Sequence, residues 1–287
     1  MPSLIDIRRR IRSVKNTQQI TRAMKMVSAA KLRRAQEKVI AARPYARMLD
    51  EVLSDLAAAA QGDPDVGANP LLAQREEKRI ELLFFTSDKG LAGAFNSNLI
   101  KASLRFYADH PDAEISLVLL GRKGRDFYKK RDSKILAEHV NVLNKATYAD
   151  AAVIARATVD RFKNGEIDSV YLLNNEFKSV ILQRLSVKKL LPVKLPEKQV
   201  DHDTIFEQPP VEMLERMLPR FIEVEIYRSM LETTAAEHAA RMTAMDAAST
   251  NAKEVIETLT LNMNRIRQAA ITKEIIEVVS GAAAAEG

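Results

Sequence analysis

The stretch Ser87-Asp88-Lys89-Gly90-Leu91-Ala92-Gly93 is where residue types and spacing come nearest to chemistry. It follows an apolar run over 80–85 and precedes a predicted helix, the place where glycine loops cradle phosphate with backbone N–H groups. It lacks the Gly-Lys-Ser/Thr ending of a triphosphate loop and the glycine triplet of a dinucleotide loop. A tight strand-to-helix turn accounts for the same residues. Gly121-Arg122-Lys123-Gly124 invites an anion in the same way, and a basic helix start on a solvated face explains it equally well. The four histidines, His110, His139, His202 and His238, are scattered, and there is no cysteine, so neither a thiolate zinc site nor a disulfide framework can form. No Ser/His/Asp set is spaced for nucleophilic catalysis. No residue is expected to be catalytic, cofactor-binding or metal-binding, and no cofactor is expected.

The elements around that stretch are more telling. Between Arg220 and Ser280 there is neither proline nor glycine, and most positions are good helix formers. An unbroken helix there would be ~90 Å long. Steps of four and three pick out Leu231, Ala235, His238, Met242, Met245, Ser249, Ala252, Ile256, Leu259, Met263, Ile266 and Ala270. That is a coiled-coil seam carrying small or polar residues at several places, and a seam needs a partner. A helix of this length is expected to project from any single domain.

A second periodic stretch opens the chain. From Leu4 the seam runs through Ile7, Ile11, Val14, Gln18, Thr21, Lys25, Ser28, Leu32, Ala35, Val39, Ala42, Ala46, Leu49, Leu53, Leu56 and Ala60. Its middle, 18–28, is polar, and there the apolar residues move to a neighbouring stripe of Ile20, Met24 and Val27. Such a move means that the helix faces something different, or that the supercoil adjusts. Pro44 is expected to kink the helix after Arg43. Residues 1–60 hold 13 Lys/Arg against 5 Asp/Glu, whereas 207–287 hold 8 against 13, within a net charge of +6. Opposite charge suits two terminal helices paired antiparallel, although two solvated faces would look the same.

Between them the composition changes. Gly62, Pro64, Gly67 and Pro70 mark a loop. Apolar strand-length runs at 80–85, 115–120, 135–143, 169–173 and 180–185 then alternate with helical patterns at 96–110, 122–131 and 148–164. Alternation of this kind predicts a small α/β domain with a largely parallel sheet, its last two strands antiparallel. The four prolines of 191–210 form a linker. The fold class is therefore α/β: a long antiparallel coiled coil of N- and C-terminal helices, with a small Rossmann-like α/β domain inserted between them. The boundaries are 1–60, 75–200 and 208–287. No run of about eighteen apolar residues crosses a membrane, and the start has no signal-peptide core.

Three separated motifs carry a resemblance. Ser13-Val14-Lys15-Asn16-Thr17-Gln18-Gln19-Ile20-Thr21-Arg22-Ala23-Met24-Lys25-Met26-Val27-Ser28-Ala29-Ala30-Lys31 resembles the start of the gamma subunits of bacterial F-type ATP synthases. Ser87-Asp88-Lys89-Gly90-Leu91-Ala92-Gly93-Ala94-Phe95-Asn96 is similar to their mid-chain motif. Ile271-Thr272-Lys273-Glu274-Ile275-Ile276-Glu277-Val278-Val279-Ser280-Gly281-Ala282-Ala283-Ala284 is similar to their closing signature. The departure is Ser249-Thr250-Asn251-Ala252, where many bacterial relatives carry Asp and Gly.

The resemblance implies a non-catalytic rotor, the central stalk of a proton-translocating complex. Its partners would be three alpha and three beta subunits, the epsilon subunit and the membrane c-ring. The location would be peripheral, on the cytoplasmic face of the bacterial inner membrane, without membrane insertion or nucleic acid. Carried over by position, Met24, Arg267, Gln268 and Thr272 are expected to couple to beta. Ile275, Ile276, Val278, Val279 and Ala282 form a shaft tip. Met24 can equally pack inside the coiled coil, Arg267 can lie on a solvated face, and the tip can be a frayed terminus. Two other classes compete: a basic coiled-coil nucleic-acid binder, and an enzyme using the 87–93 loop as a phosphate cradle.

Overall fold

A computed structural model describes residues 3–60, 69–180, 182–194 and 206–286. The elements run in order as α1 (Leu4–Ala59), β1 (Arg79–Phe85), α2 (Phe95–Asp109), β2 (Glu114–Leu120), α3 (Arg122–Tyr128) and β3 (Lys134–His139). A short 3-10 turn (Leu143–Lys145), α4 (Tyr148–Lys163), β4 (Ser169–Phe177), β5 (Gln183–Leu191) and α5 (Pro210–Glu286) complete the chain. The chain divides into two compact units, Ala29–Arg241 and Met1–Ser28 with Met242–Gly287.

In the larger unit the sheet order is β3-β2-β1-β4-β5. β1 pairs in parallel with β2 and β4, and β2 with β3, while β5 is antiparallel to β4. This is the half-Rossmann order, with a switch point between β1 and β4. The strands β1 and β2 are buried on both faces, so their sequences read as continuous apolar runs rather than as alternation. Glu81 interrupts the first run at full burial. Arg161 donates to both of its carboxylate oxygens at 2.7 and 3.0 Å, and Thr158 Oγ1 donates at 2.7 Å, so the charge is paired and hydrogen-bonded as burial requires. Thr147 opens α4 with a capping box closed by Asp150. Gly121 sits at φ 100, and a Cβ there would meet the Thr86 carbonyl oxygen at 2.0 Å, so only glycine fits.

The 29–59 part of α1 and the 210–241 part of α5 pack in this unit. Leu32, Ala35, Val39, Ala46, Leu49, Leu53 and Leu56 are buried along the predicted seam. α1 runs through Pro44 without ending. Nearly every residue from 222 to 239 of α5 is buried, whichever way it faces. That is why acids survive inside: Glu225 accepts from Lys188 at 2.6 Å, and Glu232 from the Phe177 backbone N–H at 3.2 Å.

In the smaller unit, the 4–28 part of α1 pairs antiparallel with the 242–270 part of α5. Gln18 Nε2 donates to the Ser249 carbonyl at 3.4 Å, Thr21 Oγ1 and Ser249 Oγ lie 2.7 Å apart, and Lys25 meets Asp246 at 2.6 Å. Rising numbers on one helix meet falling numbers on the other. The stripe shift expected over 18–28 does not occur in this pairing. The polar residues stay in the seam because they satisfy one another across it, and Ile20 and Val27 are left outside.

The elements differ from the sequence expectation mainly at their ends. β3 stops at His139, four residues before 143. The last strand starts at Gln183 and runs to Leu191, not over 180–185. Ile181 and the linker residues 195–205 lie outside the described residues.

Candidate partner-contact surface

The loop after β1 sits beside the switch point, where an α/β sheet would receive a ligand. Its local bonding is directed inward. Ser87 N–H donates to Asn96 Oδ1 at 3.0 Å, and Ser87 Oγ donates to the Lys89 carbonyl at 2.6 Å. Asp88 accepts three hydrogen bonds, from the Arg122 and Asn141 backbone N–H groups and from Asn144 Nδ2, at 3.0 to 3.1 Å. The carbonyls of Lys89 and Gly90 face Arg241, which donates to them at 3.2 to 3.3 Å and is held by Glu237 at 2.6 Å. A phosphate cradle needs free N–H groups turned toward the anion. In this loop the Ser87 N–H and the Asp88 carboxylate are engaged within the larger unit, and α5 of the same unit takes the Lys89 and Gly90 carbonyls. Ser87 to Gly93 is a structural staple. Arg241, Glu237, Asn96 and Asn144 complete it, and nothing in their local spacing announces that, since the contacts span up to 152 residues.

In the smaller unit the chemistry lies on the outside. Two helices alone bury only a narrow seam, so Leu4, Ile11, Val14, Ile256, Leu259, Met263 and Ile266 are half-buried, and only Ile7, Thr21, Ser28, Met245 and Ala252 of the seam are fully buried. A set of large apolar side chains then faces outward: Ile5, Ile20, Met26, Val27, Val255 and Leu261, the last 71% exposed. Isolated exposed apolar residues are ordinary, but four on α1 and two on α5 are more than this helix pair covers by itself.

Met24 is half-buried beside this series. Arg267, Gln268 and Thr272 are exposed. Arg267 has no ion pair among the described residues, while Thr272 Oγ1 donates back to the Gln268 carbonyl at 2.9 Å. Spaced four apart on a helix, Gln268 and Thr272 share one face, and Arg267 lies beside it. From Ile271 to Ala282 every residue is exposed, Ile275, Ile276, Val278 and Val279 between 57% and 72%. α1 begins at Leu4, and its first turns end opposite this region: Ile7 and Arg10 share a groove with Leu259, Ile266, Ala270 and Lys273. Past it every residue to Ala282 is exposed, with no companion among the described residues of its unit.

The model of the family described as ATP synthase matches residues 3–285. The chain is 61% identical to a protein named ATP synthase gamma chain from Solibacter usitatus, over 100% of both chains. It is 50% identical to the ATP synthase gamma chain of Desulfitobacterium hafniense, again over 100% of both. Its fold is similar to a chain in the mitochondrial ATP synthase of Euglena gracilis, in an OSCP/F1/c-ring assembly. That match has a TM-score of 0.67 and 16% identity over 98% of this chain and 94% of that one. Taken with a half-Rossmann sheet whose strands lie in sequence between two long helices, these matches mean that the chain belongs to the ATP synthase gamma-chain family.

Proposed function

We propose that this chain is the rotor of an F-type ATP synthase, the central stalk that couples rotation of a membrane c-ring to the catalytic sites on beta. The observation that carries the reading is the likeness to ATP synthase gamma chains over the entire length of both proteins. The polar seam and the unaccompanied end of α5 support it, because they leave an asymmetric surface for partners. A rotor does mechanical work by binding one conformation of a partner better than another, and needs no active site of its own.

In this reading three alpha and three beta subunits surround the smaller unit, while the α/β unit meets epsilon and the c-ring. Met24, Arg267, Gln268 and Thr272 touch beta. Arg267 can grip a carboxylate through both arms of its guanidinium. Ile275, Ile276, Val278, Val279 and Ala282 form a smooth tip that turns in an apolar collar. Among the described residues no helix is long and apolar enough to cross a membrane, and the chain sits peripherally, at the cytoplasmic face in our reading. The nucleic-acid reading finds no support, since full-length likeness leads to ATP synthase chains.

Co-expression with the alpha and beta subunits of the same organism tests this. A 3:3:1 assembly that hydrolyses ATP, and falls apart when this chain is omitted, is the expected result; a chain that never co-purifies with them would refute it. Within that assembly, Arg267→Ala should slow hydrolysis about tenfold, from loss of one charge-assisted contact, without preventing assembly. Wild-type turnover would remove Arg267 from the coupling surface.

A further inference from the structure

A second feature lies in the larger unit, which holds none of the residues just assigned to beta. A cavity of about 570 Å³ is bounded by α1, the loop after β1, the segment from Asn141 to Ala146, and α5. Five cations line it: Lys31, Arg34, Lys38, Lys89 and Lys145. None of them has an ion pair among the described residues, although Arg33 on the neighbouring face of α1 is paired with Glu37. No acidic side chain lines the cavity. The nearby carboxylates are engaged behind its wall, Asp88 by three donors and Glu237 by Arg241. The five are exposed, so their mutual repulsion is screened, yet an anion seated in the concavity would be attracted by all of them at once. His238 reaches the same cavity; burial, then Arg241 and Lys31, push it down to about 4, so at neutral pH it adds no further charge. Ala35, Leu143, Ala146 and Leu231 supply an apolar part of the lining.

We propose that this cavity is a binding site for a small polyphosphate anion, a nucleoside triphosphate or its triphosphate moiety. Three arguments select that class. The volume falls in the range of small-molecule sites, about 300–1,000 Å³. Five cations drawn from three separate stretches of chain converge on one concavity, which suits a compact multiple charge better than carboxylates spread along a peptide. Arg and Lys together are the usual phosphate-binding pair. The site differs from the Ser87–Gly93 turn: only Lys89 of that turn lines it, and its cradle is side chains, not loop amides. The proposal does not depend on the rotor reading, and its test uses the chain outside any assembly.

The test is calorimetric titration of the full-length chain with ATP, with tripolyphosphate and with a short polyglutamate peptide, without added magnesium. Both phosphate probes should bind, and raising the salt from about 50 mM to about 300 mM should weaken them, since the lining cations are exposed and screened. The double variant Arg34→Gln/Lys38→Gln should bind about tenfold more weakly, whereas Arg33→Gln should leave affinity unchanged. Tighter binding of ATP than of tripolyphosphate would place the nucleoside on the apolar lining; equal binding would assign the site to the phosphates alone, and both support it. Near-ultraviolet tyrosine dichroism checks that the variants stay folded, because all six tyrosines lie within Ala29–Arg241. Absence of binding by both phosphate probes at low salt would overturn the proposal. So would equal weakening by Arg33→Gln, or polyglutamate binding as tightly as ATP, which would make the cavity a dock for an acidic protein segment.

Discussion

The same heptad register behaves differently in the two units. In Ala29–Arg241 the α1 seam is deeply buried, Leu56 reaching 0% exposure, and α5 opposite it is covered on almost every face. In the smaller unit the register continues without a break, yet most of its aliphatics are half-buried and the middle is polar. A helix pair hides only the stripe at which its members touch; a third layer is needed to hide the rest. The larger unit has a sheet for that layer. The described residues of the smaller unit include none, and its outward Ile20, Val27 and Leu261 are exposed. Identical periodicity therefore means a finished core in one place and an unfinished one in another.

Substitutions in each unit test this contrast. Leu56→Ala should destabilise the larger unit by about 2–5 kcal/mol, the range for a fully buried leucine. Urea unfolding followed by tyrosine dichroism reads that unit alone, and a loss under about 1 kcal/mol would deny it a finished core.

The next effect depends on pH. The unfolded chain protonates His238 near its ordinary 6.5, and the folded chain only near about 4. Between these values the unfolded state binds more protons, so stability falls as pH falls through that window and is fully present above it. His238→Gln should remove this slope, leaving wild type about 2–3 kcal/mol more acid-sensitive than the variant between pH 7 and pH 4. Glu232 and Glu237 are raised, chiefly by burial, and work in the opposite sense in both proteins, so the difference between the two isolates the histidine. Parallel pH profiles would show that His238 is hydrated.

In the smaller unit Thr21→Ala should cost about 1 kcal/mol by leaving Ser249 without its partner. Faster amide exchange over 10–28 would register it. Ile20→Ser should change the isolated chain by less than about 0.5 kcal/mol, because the side chain is already 60% exposed. A large loss there would mean that Ile20 packs within the chain after all.

Much of this was readable in the residues. Every position of both predicted seams is buried or half-buried, Gln18 and Lys25 included, because a 3–4 spacing constrains which side a helix presents whatever the residue types. The strands and helices of the inserted unit were recoverable from apolar runs and amphipathic periodicity, apart from their ends. What stayed hidden depends on long-range contacts. Glu81 reads as a flaw in an apolar run until Arg161, eighty residues later, meets it. The turn at Ser87 reads in sequence as a strand-to-helix turn that could also cradle phosphate, and its bond to Arg241 is 151 residues out of view. Nor does periodicity reveal whether an outward Ile20 meets water or a partner.

If this chain turns inside a ring of partners, a bead fixed to it turns with it. Because it has no cysteine, Lys130→Cys, an exposed position on the larger unit, gives one attachment point for a bead. The assembly of this variant with cysteine-free alpha and beta subunits would be fixed to a surface through beta and watched under ATP. Continuous unidirectional rotation of the bead is the predicted result. Sustained ATP hydrolysis with a bead that never turns would contradict the account.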